Sequence, residues 1–191
     1  MGRLAQGLKG RVKGTNTIYF INKNQVPKDR WKYVTYGCIC ANDRPEKEDP
    51  YRIWITIGGD RINYNEDCGT PTAYLLAVKL LLNIIFYTAG PKFFTMDIKN
   101  FYLNTPLPRY EYFRFKISDM PDDFIKSYVL YQKATKEGYL YVECRRGMYG
   151  LPYAGLIAQE LPEKYWRSTV TPNAKWHQVY GLTSVVPSNS H

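Results

Sequence analysis

The sequence lacks any long hydrophobic run. Its longest apolar stretch, Leu80 to Tyr87, follows Lys79 and is interrupted by Asn83. A helix that spans a bilayer needs about 20 consecutive apolar residues, so this stretch is too short to cross a membrane. The first residues also lack the apolar segment of a secretory signal peptide. The sequence therefore predicts an intracellular protein, in the cytoplasm or nucleus, with no membrane partner.

Cysteine and histidine are scarce, with four and two residues among 191. Cys38 and Cys40 form a Cys-x-Cys pair, but no second pair follows at the spacing of a zinc site. Cys68 and Cys144 are isolated in the sequence. We therefore expect free, buried thiols in a reducing compartment rather than a metal site.

Internal repeats and low-complexity tracts are also absent. Apolar residues on nearly every face predict a buried helix over Ala73 to Tyr87, which Thr70 and Pro71 would begin. The mixed order of strands and helices favours an α+β fold. Strands are predicted over Thr17 to Asn22, Lys32 to Cys40, Arg52 to Ile57, Phe93 to Ile98, Tyr110 to Ile117 and Tyr139 to Cys144, and further helices at Pro121 and from Ala154 to about Trp166.

What the sequence has in excess is positive charge and tyrosine. Lys and Arg number 26 against 17 Asp and Glu, a net charge of +9, and 18 residues are Tyr. Such charge fits solvated faces or a polyanion partner, and its concentration near the N-terminus favours nucleic acid. Tyr rings either pack at half-buried positions or provide surfaces on which bases stack. Residues 1–16 are Gly-rich and basic, which predicts a mobile arm.

The segment from Phe94 to Leu107 places one acid, Asp97, at the end of an apolar run and Tyr102 five positions later. A lone Asp after a strand is usually a turn former or a helix cap. A carboxylate held at a strand end can instead bind Mg²⁺, as phosphoryl transfer by two metal ions requires. Tyr102 would then lie beneath the sugar of an incoming nucleotide. Alternatively, Tyr102 is a core aromatic that follows a strand.

A second segment, residues 145–155, contains Tyr149-Gly150-Leu151-Pro152 and leads into helical sequence. Such a turn directs backbone N–H groups and a helix N-terminus at one point, which suits a phosphate or a base edge. Many turn–helix junctions share this pattern, so alone it indicates little. Its position some 50 residues after Asp97 makes it a stronger indication.

Together these segments resemble the reverse transcriptases of copia-type LTR retrotransposons, whose turn reads Tyr-Gly-Leu-x-Gln-Ala. The resemblance implies polymerase fingers and an incomplete palm over residues 17–186, with a mixed, mostly antiparallel sheet, packed helices and a tail at 187–191. It implies RNA template, DNA primer and dNTP as partners. It also implies Mg²⁺ bound by Asp97 as catalytic residue, and nucleotide binding by Arg52, Tyr102, Tyr149, Gly150 and Tyr153.

The chain departs from the family pattern at several positions. Residues 52–59 correspond to a finger strand that grips triphosphate in the family. Trp54 and Gly58 replace an Arg and a Lys of that strand, so Arg52 alone keeps positive charge there. Trp cannot pair with phosphate oxygens as a guanidinium does. Tyr153 replaces the Gln of the turn, and Pro162 lies inside the helix that should follow.

The largest departure concerns the second metal site of the family, an Asp-Asp pair on a hairpin. This chain has no Asp or Glu after Glu163. A single carboxylate cannot hold two metal ions in register. We therefore expect a reverse-transcriptase-derived fragment without polymerase activity. The alternatives are a non-catalytic nucleic-acid-binding module and a decayed reading frame with no selected function.

Overall fold

The computed structural model describes most of the chain. It assigns the described residues to the mixed α+β class, with a five-stranded mixed sheet and a few helices, which confirms the predicted class. Asp97 lies outside the described residues, so its predicted role as metal ligand stays a prediction. The described residues are 1–46, 50–64, 67–69, 75–87, 92–95, 100–169, 175–179 and 182–186.

The chain divides into two compact units. Unit 1 comprises Met1–Cys68 and Asn100–Ala158, and unit 2 comprises Gly69–Lys99 and Gln159–His191. Short 3₁₀ turns connect several of the regular elements. In chain order these are β1 (Gly7–Leu8), β2 (Val12–Lys13), β3 (Ile18–Ile21), β4 (Thr35–Asp43), β5 (Tyr51–Ile57), α1 (Leu75–Tyr87), β6 (Lys92–Thr95), β7 (Pro106–Lys116), α2 (Asp122–Tyr128), β8 (Tyr139–Arg146), α3 (Ala154–Thr169), β9 (Lys175–Val179) and β10 (Leu182–Val186).

The main sheet belongs to unit 1 and has the strand order β3-β8-β7-β4-β5. Its neighbours pair antiparallel except β4 and β7, which are parallel. In β8, Leu140, Val142 and Cys144 are buried and belong to the same core as Phe113 and Phe115 of β7. This period of two puts alternate side chains on one face, which is why the sequence pattern located the strand.

The first sixteen residues differ from the expected mobile arm. They include the short β1–β2 hairpin, and Ala5 is fully buried in the core. The amide of Ile18 donates a 3.0 Å hydrogen bond to the carbonyl oxygen of Leu4, and the Tyr128 hydroxyl donates to the carbonyl oxygen of Gly7. The basic side chains are compatible with this order because they occupy the surface while backbone groups make the contacts.

Helix α1 of unit 2 also differs from its prediction. Leu81 is buried, but most of the large apolar side chains are exposed, so the expectation of a buried helix is wrong for them. Burial of every helix face requires neighbours on all sides, and a local pattern does not supply those neighbours. The predicted helix start at Thr70 and Pro71 lies outside the described residues. No helix in the described ranges has both the length and the apolar content to span a membrane.

Other element boundaries shift by a few residues. The strand predicted from Lys32 begins as the 3₁₀ segment Lys28–Tyr33, and β4 starts only at Thr35. Helix α3 begins at Ala154 as expected and continues through Pro162. In unit 2, β9 and β10 pair antiparallel, and β10 also pairs with β6. The predicted tail at 187–191 lies outside the described residues.

Candidate functional site

The turn that follows β8 is built against the end of β5. The Ile57 amide donates a 2.9 Å hydrogen bond to the carbonyl oxygen of Tyr149. Gly150 has a φ of 93°, in the left-handed region that glycine adopts most readily. A Cβ atom at this position would lie 1.9 Å from the carbonyl oxygen of Ile57, so glycine permits the close approach. The predicted turn therefore meets the strand that contains Arg52.

Arg52 contributes to this arrangement through its backbone. It pairs with Asn42 in the antiparallel register of β5 and β4. Its side chain lies outside the part of the chain that the structure describes, so its predicted contact with triphosphate stays a prediction.

Tyr102 lies beside the same turn, at the start of a 3₁₀ segment that ends at Asn104. Its ring centroid is 5.2 Å from that of Tyr149, and the planes meet at 86°, an edge-to-face contact. A Cβ atom on Gly147 would lie 2.7 Å from the carbonyl oxygen of Tyr102, so the two backbones also pack closely. Tyr149 is 51% exposed and provides the accessible ring of the pair. The structure thus brings together Tyr102, Tyr149 and Gly150, three of the predicted site residues.

Tyr153 is placed differently from the other predicted site residues. Its side chain is 1% exposed, and its ring stacks on Tyr64 with centroids 4.6 Å apart and planes at 12°. Its hydroxyl donates a 2.8 Å hydrogen bond to Oε1 of Glu111. Burial, followed by the Glu111 carboxylate, raises the pKa of Tyr153. The side chain therefore has a packing role in this structure, and its nucleotide-binding role stays a prediction.

Glu111, which the sequence did not single out, provides a buried carboxylate that contacts Tyr153. Glu111 is fully buried, and Arg30 Nη2 donates a hydrogen bond to its Oε2 atom. Arg109 donates to Oε1 from Nε and Nη2, at 3.1 and 3.0 Å. Because two guanidinium groups and the Tyr153 hydroxyl surround one carboxylate, the charge is paired and hydrogen-bonded in the core.

The sequence did contain a signal for this carboxylate. Glu111 alternates with Phe113 and Phe115 in the strand predicted over Tyr110 to Ile117, so its parity places it on the core face. An acid on the buried face of a strand requires a cationic or hydrogen-bonding partner.

On the opposite face of the sheet, a second group of side chains interacts around Arg145, and the sequence did not single it out. Arg145 and Arg146 both belong to β8, which extends beyond the strand predicted over Tyr139 to Cys144. The guanidinium carbon of Arg145 lies 3.9 Å from the ring centroid of Tyr19 and 5.3 Å from that of Tyr110. Arg145 Nε donates a 2.6 Å hydrogen bond to Oε1 of Glu143. The arrangement combines positive charge with two aromatic rings.

The described residues include no group of three or more His, Cys, Asp or Glu positioned to hold a metal ion. Among the described residues the four cysteines form no disulfide, and Cys144 is buried as expected. Cys38 and Cys40 are instead exposed, with their sulfur atoms 3.6 Å apart, and Cys68 is half-buried. The prediction of buried thiols therefore holds for Cys144 alone. The prediction of Mg²⁺ depends on Asp97, which lies outside the described ranges.

Comparisons of the chain with models of protein families, with curated proteins and with solved structures find no match.

Proposed function

We propose that this chain is a reverse-transcriptase-derived fragment, comprising fingers and an incomplete palm, that binds nucleic acid without polymerising it. The observation that supports this proposal is the meeting of three segments that are distant in sequence. The end of β5, Tyr102 and the Tyr149–Gly150 turn lie against one another in unit 1. In the family that the motifs resemble, these segments grip triphosphate, test the sugar and position the template.

The proposed loss of polymerase activity rests on the supply of carboxylates. Two-metal catalysis holds two ions about 4 Å apart between several acidic side chains. The resemblance provides one such residue, Asp97, and the sequence has no Asp or Glu after Glu163. In addition, a phenol replaces the amide of the turn at Tyr153, and that phenol is bonded to Glu111. In this proposal the 191 residues keep surfaces for binding and do not include the second acidic pair that two-metal catalysis would use.

Primer extension tests the catalytic part of the proposal. We expect no incorporation on an RNA template with a DNA primer, dNTP and Mg²⁺, and the same background from Asp97→Ala. Incorporation that exceeds the Asp97→Ala background would show an intact polymerase and overturn this part.

Binding to the same primer–template, measured by fluorescence anisotropy over a range of salt concentrations, tests the other part. Each phosphate contact releases counterions, so the logarithm of the association constant should fall linearly with the logarithm of salt concentration. A response that does not change with salt, or no binding at low salt, would contradict the proposal.

A further inference from the structure

We infer that Tyr19, Tyr110 and Arg145 form a binding site for single-stranded nucleic acid on the outer face of the five-stranded sheet. The inference rests on the proposed function, since it specifies which form of nucleic acid is bound and where. It does not depend on Asp97 or on the Tyr149–Gly150 turn.

The three side chains come from neighbouring strands and share one face. Tyr19 lies on β3, Arg145 on β8 and Tyr110 on β7, and β8 is between the other two. Ile18 and Cys144, which precede Tyr19 and Arg145 in their strands, are both fully buried in the core. Because side chains alternate between the faces of a strand, Tyr19 and Arg145 occupy the face opposite the core.

Tyr110 joins them through an irregularity of β7. The register between β7 and β8 shifts between Pro106 and Glu111, so Tyr110 lies next to the point where regular pairing resumes. Bulges of this kind change the direction of a side chain and are frequent next to functional sites. The Tyr110 ring approaches the Arg145 guanidinium and remains 43% exposed.

Glu143 fixes the guanidinium without occupying all of it. The Glu143 carboxylate accepts from Arg145 Nε at 2.6 Å through one oxygen, and from the Tyr112 hydroxyl at 3.2 Å through the other. Among the described residues, the side-chain hydrogen bond of Arg145 uses Nε, which leaves Nη1 and Nη2 able to pair with phosphate oxygens. The Arg145 side chain is 41% exposed, so a ligand can reach it.

This combination fits a single strand better than a duplex or an acidic peptide. Bases of a single strand present open faces that stack on aromatic rings and on guanidinium planes, whereas a duplex hides those faces. The three strands span about 10 Å across the sheet, enough for one or two nucleotides. An acidic peptide would pair with the guanidinium but would gain little from the rings.

Fluorescence anisotropy with a labelled thymidine oligonucleotide, alone and annealed to its complement, tests the site. We expect the single strand to bind more tightly than the duplex. Loss of one base stack is worth about 1–3 kcal/mol, so Tyr19→Leu and Tyr110→Leu should each weaken single-strand binding roughly 5- to 150-fold. Tyr19→Phe keeps the ring and should bind within about twofold of the original chain.

Two arginine substitutions separate the effect of the site from the effect of net charge. Arg145→Gln and Arg11→Gln remove the same charge, and the Arg11 side chain forms an exposed ion pair with Asp123. We expect Arg145→Gln to weaken binding at least tenfold and Arg11→Gln to weaken it by no more than about threefold. Circular dichroism of each variant verifies that the fold is kept, and the exposed Tyr110 gives a variant that should fold even if Arg145→Gln does not.

Several outcomes would overturn the site. These are equal losses for Arg145→Gln and Arg11→Gln, a Tyr110→Leu variant that folds and binds like the original chain, duplex binding as tight as single-strand binding, and displacement of the oligonucleotide by polyglutamate at equal charge concentration. If the chain binds neither single strand, duplex nor primer–template, the proposed function itself fails. If it binds but the substitutions have no effect, only this site fails.

Discussion

A Cβ atom on Gly150 would lie 1.9 Å from the carbonyl oxygen of Ile57, so the absence of a side chain at Gly150 lets the turn pack directly against β5. We expect Gly150→Ala to lower the free energy of unfolding by about 3 kcal/mol or more, because the clash involves backbone and the φ of 93° strains an L residue. Urea denaturation followed by circular dichroism measures the change.

Gly10→Ala is the control for this prediction. Gly10 also has a positive φ, 74°, but no neighbouring atom lies within 4 Å of its added Cβ. Only backbone strain remains, so we expect a loss of about 1–2 kcal/mol. Equal losses in the two variants would show that the contact with Ile57 does not stabilise the fold.

The buried carboxylate of Glu111 gives a second prediction. Glu111→Ala leaves Arg30, which is 8% exposed, without its buried partner, so we expect a loss of about 3–5 kcal/mol in the free energy of unfolding. Arg109→Ala should cost much less, because the Arg109 side chain is 47% exposed and Arg30 still pairs with the carboxylate. The same urea experiment compares them, and a Glu111→Ala variant as stable as Arg109→Ala would refute this account of the core.

Tyr153 can be tested against the residue that the family pattern has there. Tyr153→Phe removes the hydroxyl that donates to Glu111 and should cost about 1–2 kcal/mol. Tyr153→Gln introduces the residue of the copia-type pattern but also removes the ring stacked on Tyr64, so we expect a larger loss, about 3 kcal/mol. Thermal melts of both variants give the order, and a Tyr153→Gln variant as stable as the original chain would contradict the packing role.

A pH effect is expected from Tyr112. Burial, followed by the Glu143 carboxylate, raises the pKa of Tyr112 to about 12 from an ordinary value of 10.0. Between about pH 10 and 12 the unfolded chain has lost this proton while the folded chain retains it. The contribution of Tyr112 to stability is therefore complete below pH 10 and is lost as pH rises through that window.

Denaturation at a series of alkaline pH values measures this loss, and ultraviolet absorbance of tyrosinate follows the ionisation. Tyr112→Phe removes the titrating group, so its stability should fall less steeply between pH 10 and 12. Identical slopes for the two chains would show that Tyr112 ionises as an exposed phenol does.

The sequence pattern located the strands in which one face is more deeply buried than the other. In β8, Leu140, Val142 and Cys144 lie in the main core, while on the other face Glu143 and Arg145 are half-buried and Tyr141 is buried in a second cluster. The local period of two is a direct consequence of strand geometry. The 3₁₀ segment at Lys28–Tyr33 was missed because Trp31 and Tyr33 favour strands intrinsically. In the fold, the Trp31 ring packs edge-on against Tyr141, and such tertiary contacts override local preference.

The candidate site was predictable only in part for the same reason. The resemblance selected Tyr102, Tyr149 and Gly150 individually, and the structure shows that they are neighbours. The Tyr19–Arg145 stack depends on the pairing of β3 with β8, which no local pattern specifies. Contacts between residues distant in sequence require the register of the whole sheet.

The position of β8 between β3 and β7 has a consequence for the chain while it is being synthesised. Ile18 of β3 pairs with Cys144 of β8, so a ribosome that adds about 5–20 residues each second needs roughly 6–25 s to supply the partner. During that interval β3, and later β7 once it has been made, present hydrogen-bonding edges to other chains. The nascent chain is therefore open to edge-to-edge association until β8, the last strand of the main sheet to be made, is available for pairing.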